Sequence, residues 1–446
     1  MSEVAMADTM SDVLRATAGP DLYRLNAFRA NGLPTVADRR LVRQRRQQVV
    51  AALSMGADVD GIPSDVDSDE VRAAFDRILE DPRQRLIDEM FWLWEVPGTD
   101  CGCPASLHGE HDRAVIAHGM ALNREFQVTD PRGADRADLD RLWSEAAGHW
   151  DKVLRRNATW EHLRHRVRKL DDRRLDESSV DELRSGLPAA LLRPLVALAV
   201  EAGRPERLSG IIRGWKGQNA LGRDLLAEAA STQYEAVDTA VRQVRGLLDE
   251  SAVDEAIRTL NAVTGSVTRL RALLPADESR RTANASELVA ISWNNCANRL
   301  FEINGPVGED RYDMMFDQAE ALAVVPETRA AIRENRDDFR RVADELAALL
   351  DRITRLAASG QRGAAWSLAS QMRVQLAGMP GAVDEINRVT RNLGAAGVGT
   401  NSRAVGAWIV LVAIVIGLCV GLANCDGGSD SAAGPGPEVS TRWTAR

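Results

Sequence analysis

The sequence predicts an all-α protein that ends in a single transmembrane helix, and three observations carry that prediction. Apolar residues recur at steps of three and four, the period of a helix that buries one face, as in Ile332, Phe339, Val342, Leu346, Leu349, Ile353 and Leu356. Few stretches alternate with period two, which argues against a sheet. Residues 405–423 read VGAWIVLVAIVIGLCVGLA without one charged side chain, the roughly 20-residue length that a bilayer-spanning helix needs. The bulk numbers agree with a folded body: 446 residues, 45% hydrophobic and 27% charged, have ordinary globular composition. A net charge of −9 opposes general affinity for nucleic acid, because phosphate binding needs a positive field. Five cysteines, unevenly spread, make no disulfide framework and fit a reducing compartment.

In chain order, residues 1–19 are acidic and lack an apolar run, so they are expected to be disordered and not a signal peptide. Residues 20–100 read as a module of four helices. The first covers 21–30 and stops at the turn Asn31-Gly32-Leu33-Pro34; the second covers 36–55; an Asp- and Gly-rich loop follows over 56–67. Asp67 and Glu70 have capping-box spacing for a helix over 69–80, and Pro82 starts a last helix reaching Trp94. The calcium-loop look of residues 65–70 fails on Glu70, which stands where such a loop needs glycine.

The stretches Asn26-Ala27-Phe28-Arg29-Ala30-Asn31-Gly32-Leu33 and Leu79-Glu80-Asp81-Pro82-Arg83-Gln84-Arg85 resemble the beginning and end of a J-domain, the DnaJ-type co-chaperone module. The resemblance implies a basic partner-binding face on the second helix, here Arg39, Arg43 and Arg46, which share one helical face. A solvated arginine face is the alternative reading of those three residues. J-domains stimulate a DnaK-type ATPase through a His-Pro-Asp tripeptide in the loop after that helix. Residues 56–67 contain no histidine, so the resemblance is to a degenerate module used for contact.

Residues 101–135 form a connector and helix that gather cysteine and histidine. Cys101 and Cys103 flank a single glycine, and His108 and His111 stand three apart at the expected start of a helix. Two thiolates and two imidazoles within this distance can close a tetrahedral structural zinc site, and histidines one turn apart can both face the loop. The alternative is a pair of loop cysteines beside exposed histidines. Glu110 is the one nearby residue with the chemistry of a general base, should the metal be catalytic.

Residues 136–275 read as further amphipathic helix. Trp143, Trp150 and Trp160 have core-like spacing, beside a basic run of Arg155, Arg156, Arg164, Arg166, Arg168 and Lys169 that would suit either anionic lipid or solvent. The apolar steps of Tyr234 to Leu248 and Ile257 to Leu274 suggest two antiparallel helices sharing a seam. Over 283–393, helices at 290–301 and 312–324 resemble tetratricopeptide-like pairs, although no 34-residue period is visible. The heptad from Ile332 to Leu356 and the stripe from Trp366 to Leu393, joined by Ser-Gly-Gln-Arg-Gly, predict an αα-hairpin with a break at Pro380.

A glycine-bearing linker, 394–404, leads into the membrane span, and 424–446 make a disordered tail. Arg388, Arg391 and Arg403 precede the span, whereas Asp426 and Asp430 follow it. The positive-inside rule therefore puts the body in the cytoplasm at a plasma (inner) membrane and the tail outside. Ala413, Gly417 and Gly421 recur every fourth residue, a smooth face suited to homodimerisation. No phosphate-binding glycine loop, His-Glu-x-x-His or Gly-x-Ser-x-Gly occurs. The expected function is a non-enzymatic, membrane-tethered scaffold for protein partners; recruitment of a DnaK-type ATPase and zinc-dependent sensing are the alternatives.

Overall fold

Helices make up all the regular secondary structure of the computed structural model, in which residues 9–95, 101–128, 132–202 and 205–391 are described. The all-α class is thereby established for those residues. They fall into two units, Met1–Ser231 with Ala272–Leu274, and Thr232–Arg271 with Pro275–Arg446. The boundary expected near residue 100 is therefore not one between units: the J-like region, the connector and the tryptophan-bearing helices share the first unit.

The first unit begins with α1 (Met10–Thr17), where disorder was expected. A Thr9–Asp12 capping box starts it, and Met10 and Leu14 are buried. Then come α2 (Ala27–Asn31), α3 (Arg39–Ser54), α4 (Ser68–Glu80) and α5 (Pro82–Met90). α2 is shorter than its predicted 21–30, because the Asn26 side chain caps the backbone N–H groups of Phe28 and Arg29 and so fixes the start there. The Asp67–Glu70 capping box forms as predicted. Gly32 ends α2 in the left-handed conformation at φ +59°, and a Cβ at that position would lie 2.6 Å from the Gly61 carbonyl oxygen. Phe28, Val42, Val49, Val71, Phe75 and Ile78 pack into one core between α2, α3 and α4.

The remaining helices of this unit are α6 (Ala105–Gln127), α7 (Gly133–Arg155), α8 (Asn157–Leu170), α9 (Glu177–Glu201), α10 (Glu206–Arg213) and α11 (Asn219–Ala229). α6 and α7 pack side by side, and α9 contacts α1, α8, α10 and α11. Trp143, Trp150, Trp160 and Trp215 are at most 2% exposed. Each such indole removes roughly 200 Å² from water, worth about 5 kcal/mol of transfer free energy before entropy is counted.

Among the described residues α9 alone is long and apolar enough to cross a membrane, and half of its apolar window is buried. Its packing on four other helices is what a core helix of this length would show; Pro188 and Pro194 lie within it. The predicted span at 405–423, with the dimer face Ala413, Gly417 and Gly421, lies outside the described residues.

The second unit takes α12 (Ser231–Asp249) and α13 (Val253–Leu273) except for their end residues Ser231, Ala272 and Leu273, and all of α14 (Arg280–Asn304), α15 (Glu309–Leu322), α16 (Pro326–Ala358), α17 (Arg362–Gln375) and α18 (Pro380–Arg391). The predicted seam residues Tyr234, Val237, Val241 and Val244 of α12 and Leu260, Val263, Val267 and Leu270 of α13 are buried. In α14 to α16, Phe339 stacks on Tyr312 at 4.2 Å between ring centroids and meets Phe301 and Phe316 edge-on or tilted. The hairpin forms as α16 and α17, and Pro380 opens α18 as a separate helix.

Candidate metal centre

Cys101 and Cys103 stand just before α6, and the first turn of α6 carries His108. The fourth residue comes from α8. One ligand atom each from Cys101, Cys103, His108 and His162 lies within 4.8 Å of all the others. Cys101 Sγ is 3.5 Å from His108 Nε2 and 3.5 Å from His162 Nδ1, and Cys103 Sγ is 3.4 Å from His162 Nδ1. In a tetrahedral zinc site, metal–sulfur and metal–nitrogen bonds of about 2.3 and 2.05 Å put sulfur and nitrogen about 3.6 Å apart. The observed separations match that edge to within about 0.2 Å.

Outer contacts orient the donors. His108 Nδ1–H donates to the Glu95 carbonyl at 2.9 Å, which leaves Nε2 bare toward the sulfurs. The Asp112 carboxylate accepts from the backbone N–H groups of Trp94 and Glu95 at 2.8 and 3.0 Å, pinning the loop that supplies that carbonyl. Burial, together with His108 and Arg166, lowers the His162 pKa to about 3, so its ring is neutral, as a ligand must be. Burial and the neighbouring Cys101 push the Cys103 thiol up to about 11. Its thiolate form therefore calls for a cation beside it, and metal binding would expel protons.

The spacing-based expectation placed His111 in the ligand set; the structure corrects this. His111 Nε2–H donates to the Met90 carbonyl at 2.9 Å, and its ring stacks on Trp94 at 3.7 Å between centroids. The opposite face of Trp94 meets His162 at 4.1 Å. Although His108 and His111 are one turn apart, α5 supplies a carbonyl that draws His111 away from the sulfurs. His118 is also elsewhere: its Nδ1 shares a hydrogen bond with the Tyr23 hydroxyl, and burial lowers its pKa to about 3.

His162 is the residue that sequence reasoning missed. α8 buries Thr159, Trp160, His162, Leu163, Arg166 and Val167, so His162 belongs to the apolar side of an amphipathic helix, while His165 is only half-buried. A histidine on that side was the available signal. One turn on, Arg166 makes two hydrogen bonds to the Glu89 carboxylate at 2.9 and 3.0 Å and another to the Thr35 carbonyl. Arg85 also pairs with Glu89, at 3.2 Å, and all three side chains are buried. Burial works against the Arg166 charge, but Glu89 outweighs it and holds the guanidinium charged.

The other expected site residues are accounted for locally. Arg39 pairs with Asp172 at 3.0 Å and Arg46 with Asp76 at 2.7 Å, leaving Arg43 exposed on the same face. The basic run after Trp150 is largely neutralised within the chain: Arg155 meets Asp151, Arg164 meets Glu161 and Asp181, and Arg168 meets Glu177. Glu110 is held as a carboxylate by its neighbours. Burial raises its pKa, but His149, Arg113 and Lys152 outweigh that and bring it to about 2, and it lies outside the cluster. No protein-family model, curated protein or solved structure matches the chain.

Proposed function

We propose that the chain is a membrane-tethered helical scaffold for other proteins, whose N-terminal unit is clasped by a structural zinc ion on Cys101, Cys103, His108 and His162. The convergence of those four ligand atoms within 4.8 Å is the observation that carries this reading. Two thiolates balance the charge of a divalent cation, and two neutral imidazoles complete four protein ligands, the closed set of a structural site. Such a set leaves no position for a substrate, in keeping with a scaffold and not an enzyme. Zinc is favoured because the mixed sulfur and nitrogen donors suit a borderline ion with tetrahedral preference.

The scaffold and membrane parts rest on sequence. The uncharged run at 405–423 and the arginines before it support anchoring with the body at the cytoplasmic face of a plasma membrane. The J-like stretch without its tripeptide, and the tetratricopeptide-like pairs, support protein contact without ATPase stimulation. Recruitment of a DnaK-type ATPase is disfavoured, since Arg39 and Arg46 already hold carboxylates of this chain.

Metal analysis of the purified full-length chain tests the clasp: about one zinc per chain is expected, and none after zinc supplementation would overturn it. Crosslinking in membranes followed by affinity capture tests the scaffold. A reproducible set of partners is expected, and a chain that sediments free of membranes or captures nothing above control would refute it.

A further inference from the structure

Solvent reaches the four residues of the cluster unequally. His108 and His162 are 2 and 4% exposed, whereas Cys101 and Cys103 are both partly open to solvent. Exposure thus falls on the two ligands that peroxides oxidise readily and spares the two that they do not. The cysteines are separated only by Gly102, and a Cβ built on that glycine would meet nothing within 4 Å, so the Cys-Gly-Cys turn has room to rearrange. Their sulfurs belong to a set of atoms within 4.8 Å of one another, and a disulfide closes that gap to about 2.05 Å. Cys296, the remaining cysteine among the described residues, is fully buried in the other unit.

Building on the zinc reading above, we infer that the clasp is opened by oxidation: a hydroperoxide converts the two zinc-bound thiolates into a Cys101–Cys103 disulfide and discharges the ion. One thiolate sulfur attacks the peroxide, the O–O bond breaks, and a sulfenic acid forms as hydroxide (or alkoxide) leaves. The second thiolate attacks the sulfenic sulfur, the S–S bond forms, the S–O bond breaks, and a second hydroxide leaves. Two electrons pass from the sulfur pair to the peroxide, and solvent protons convert both leaving groups to water or alcohol. A disulfide sulfur carries no charge for the metal, and the two imidazoles alone do not retain it. A dithiol reductant reverses the change and restores both thiolates.

The experiment uses the full-length chain in detergent, first shown by metal analysis to carry about one zinc. Hydrogen peroxide is added, and three quantities are followed: zinc captured by a chromophoric chelator, free thiols, and the mass of the peptide containing Cys101 and Cys103. The expected result is one zinc released and two thiols lost per chain, with that peptide lighter by two hydrogens. Dithiothreitol with added zinc restores all three; the measurements are made in a Cys419→Ser, Cys425→Ser background so that thiol counts and interchain disulfides report on the cluster, and there Cys296→Ala behaves like that background.

Retention of zinc at peroxide levels that oxidise a free thiol would overturn the inference. So would loss of zinc with the cysteines found as sulfinic acids, or a disulfide formed between chains. A chain that never carries zinc fails at the first measurement and refutes the underlying reading as well; a loaded chain that holds its zinc refutes only the release.

Discussion

His162→Ala and His111→Ala separate the ligand set that the structure brings together from the one that residue spacing suggests. His162 Nδ1 lies 3.5 and 3.4 Å from the two sulfurs, whereas His111 turns to the Met90 carbonyl. A structural zinc site of four ligands is worth about 10–16 kcal/mol of apparent binding free energy near neutral pH. One ligand in four then accounts for roughly 3 kcal/mol, and its removal weakens zinc by a factor of about 100 or more. We predict that loss for His162→Ala, measured by competition with a chromophoric chelator. His111→Ala gives up its stacking on Trp94 and its hydrogen bond, so its melting temperature falls while zinc affinity stays within about tenfold, the lower range of effects from groups that support ligands without binding metal. Cobalt substitution gives a second readout, since the visible bands of a tetrahedral cobalt–thiolate centre should survive in His111→Ala and collapse in His162→Ala. The reverse pattern, with zinc lost from His111→Ala and kept by His162→Ala, would refute the assignment.

Three further predictions concern the scaffold around the centre. Glu89→Ala strands the buried guanidinium groups of Arg85 and Arg166; an expected loss of about 3–5 kcal/mol, roughly 10 °C in melting temperature, is checked by calorimetry, and a neutral effect would contradict the pairing. Burial raises the Asp88 pKa from 3.8 to about 7, so the folded chain holds that proton more tightly than the unfolded one. Asp88 therefore subtracts stability as pH climbs from about 4 to about 7, and Asp88→Asn should lose less stability than the parent across that window in urea midpoints measured with chelator present. Gly32→Ala meets a left-handed φ and the Gly61 carbonyl at 2.6 Å, and a cost of about 1–3 kcal/mol is expected; an unchanged melting temperature would show that the turn relaxes freely.

Several helix starts were legible in the sequence from a cap or a breaker, although the Thr9–Asp12 capping box of α1 was passed over. Asp67 with Glu70 and Pro82 each start a helix where local chemistry said they would, and the break expected at Pro380 falls between two helices. Beyond its cap, α1 is held by Met10 and Leu14 packing on α9, more than 160 residues away in sequence. The candidate site divides the same way. Cys101, Cys103 and His108 are neighbours along the chain, so their grouping is written in spacing. His162 arrives through the docking of α8, and His111 is diverted by a carbonyl at the end of α5; neither follows from distance along the chain. The arginines show the complementary limit, for sequence gives their shared face but not the carboxylates that the fold brings to Arg39 and Arg46.

His162 and Arg166 stand one turn apart on α8, and the second is fastened to Glu89 by chemistry that owes nothing to a metal. If the ion departs, the helix keeps this anchorage, and the imidazole stays moored close to the sulfurs instead of wandering with a freed segment. Recapture of an ion then begins from a high local concentration of the missing donor, set by the geometry of a single helical turn. On the zinc reading, loss of the ion would leave the unit around the centre with no need to refold before another is bound.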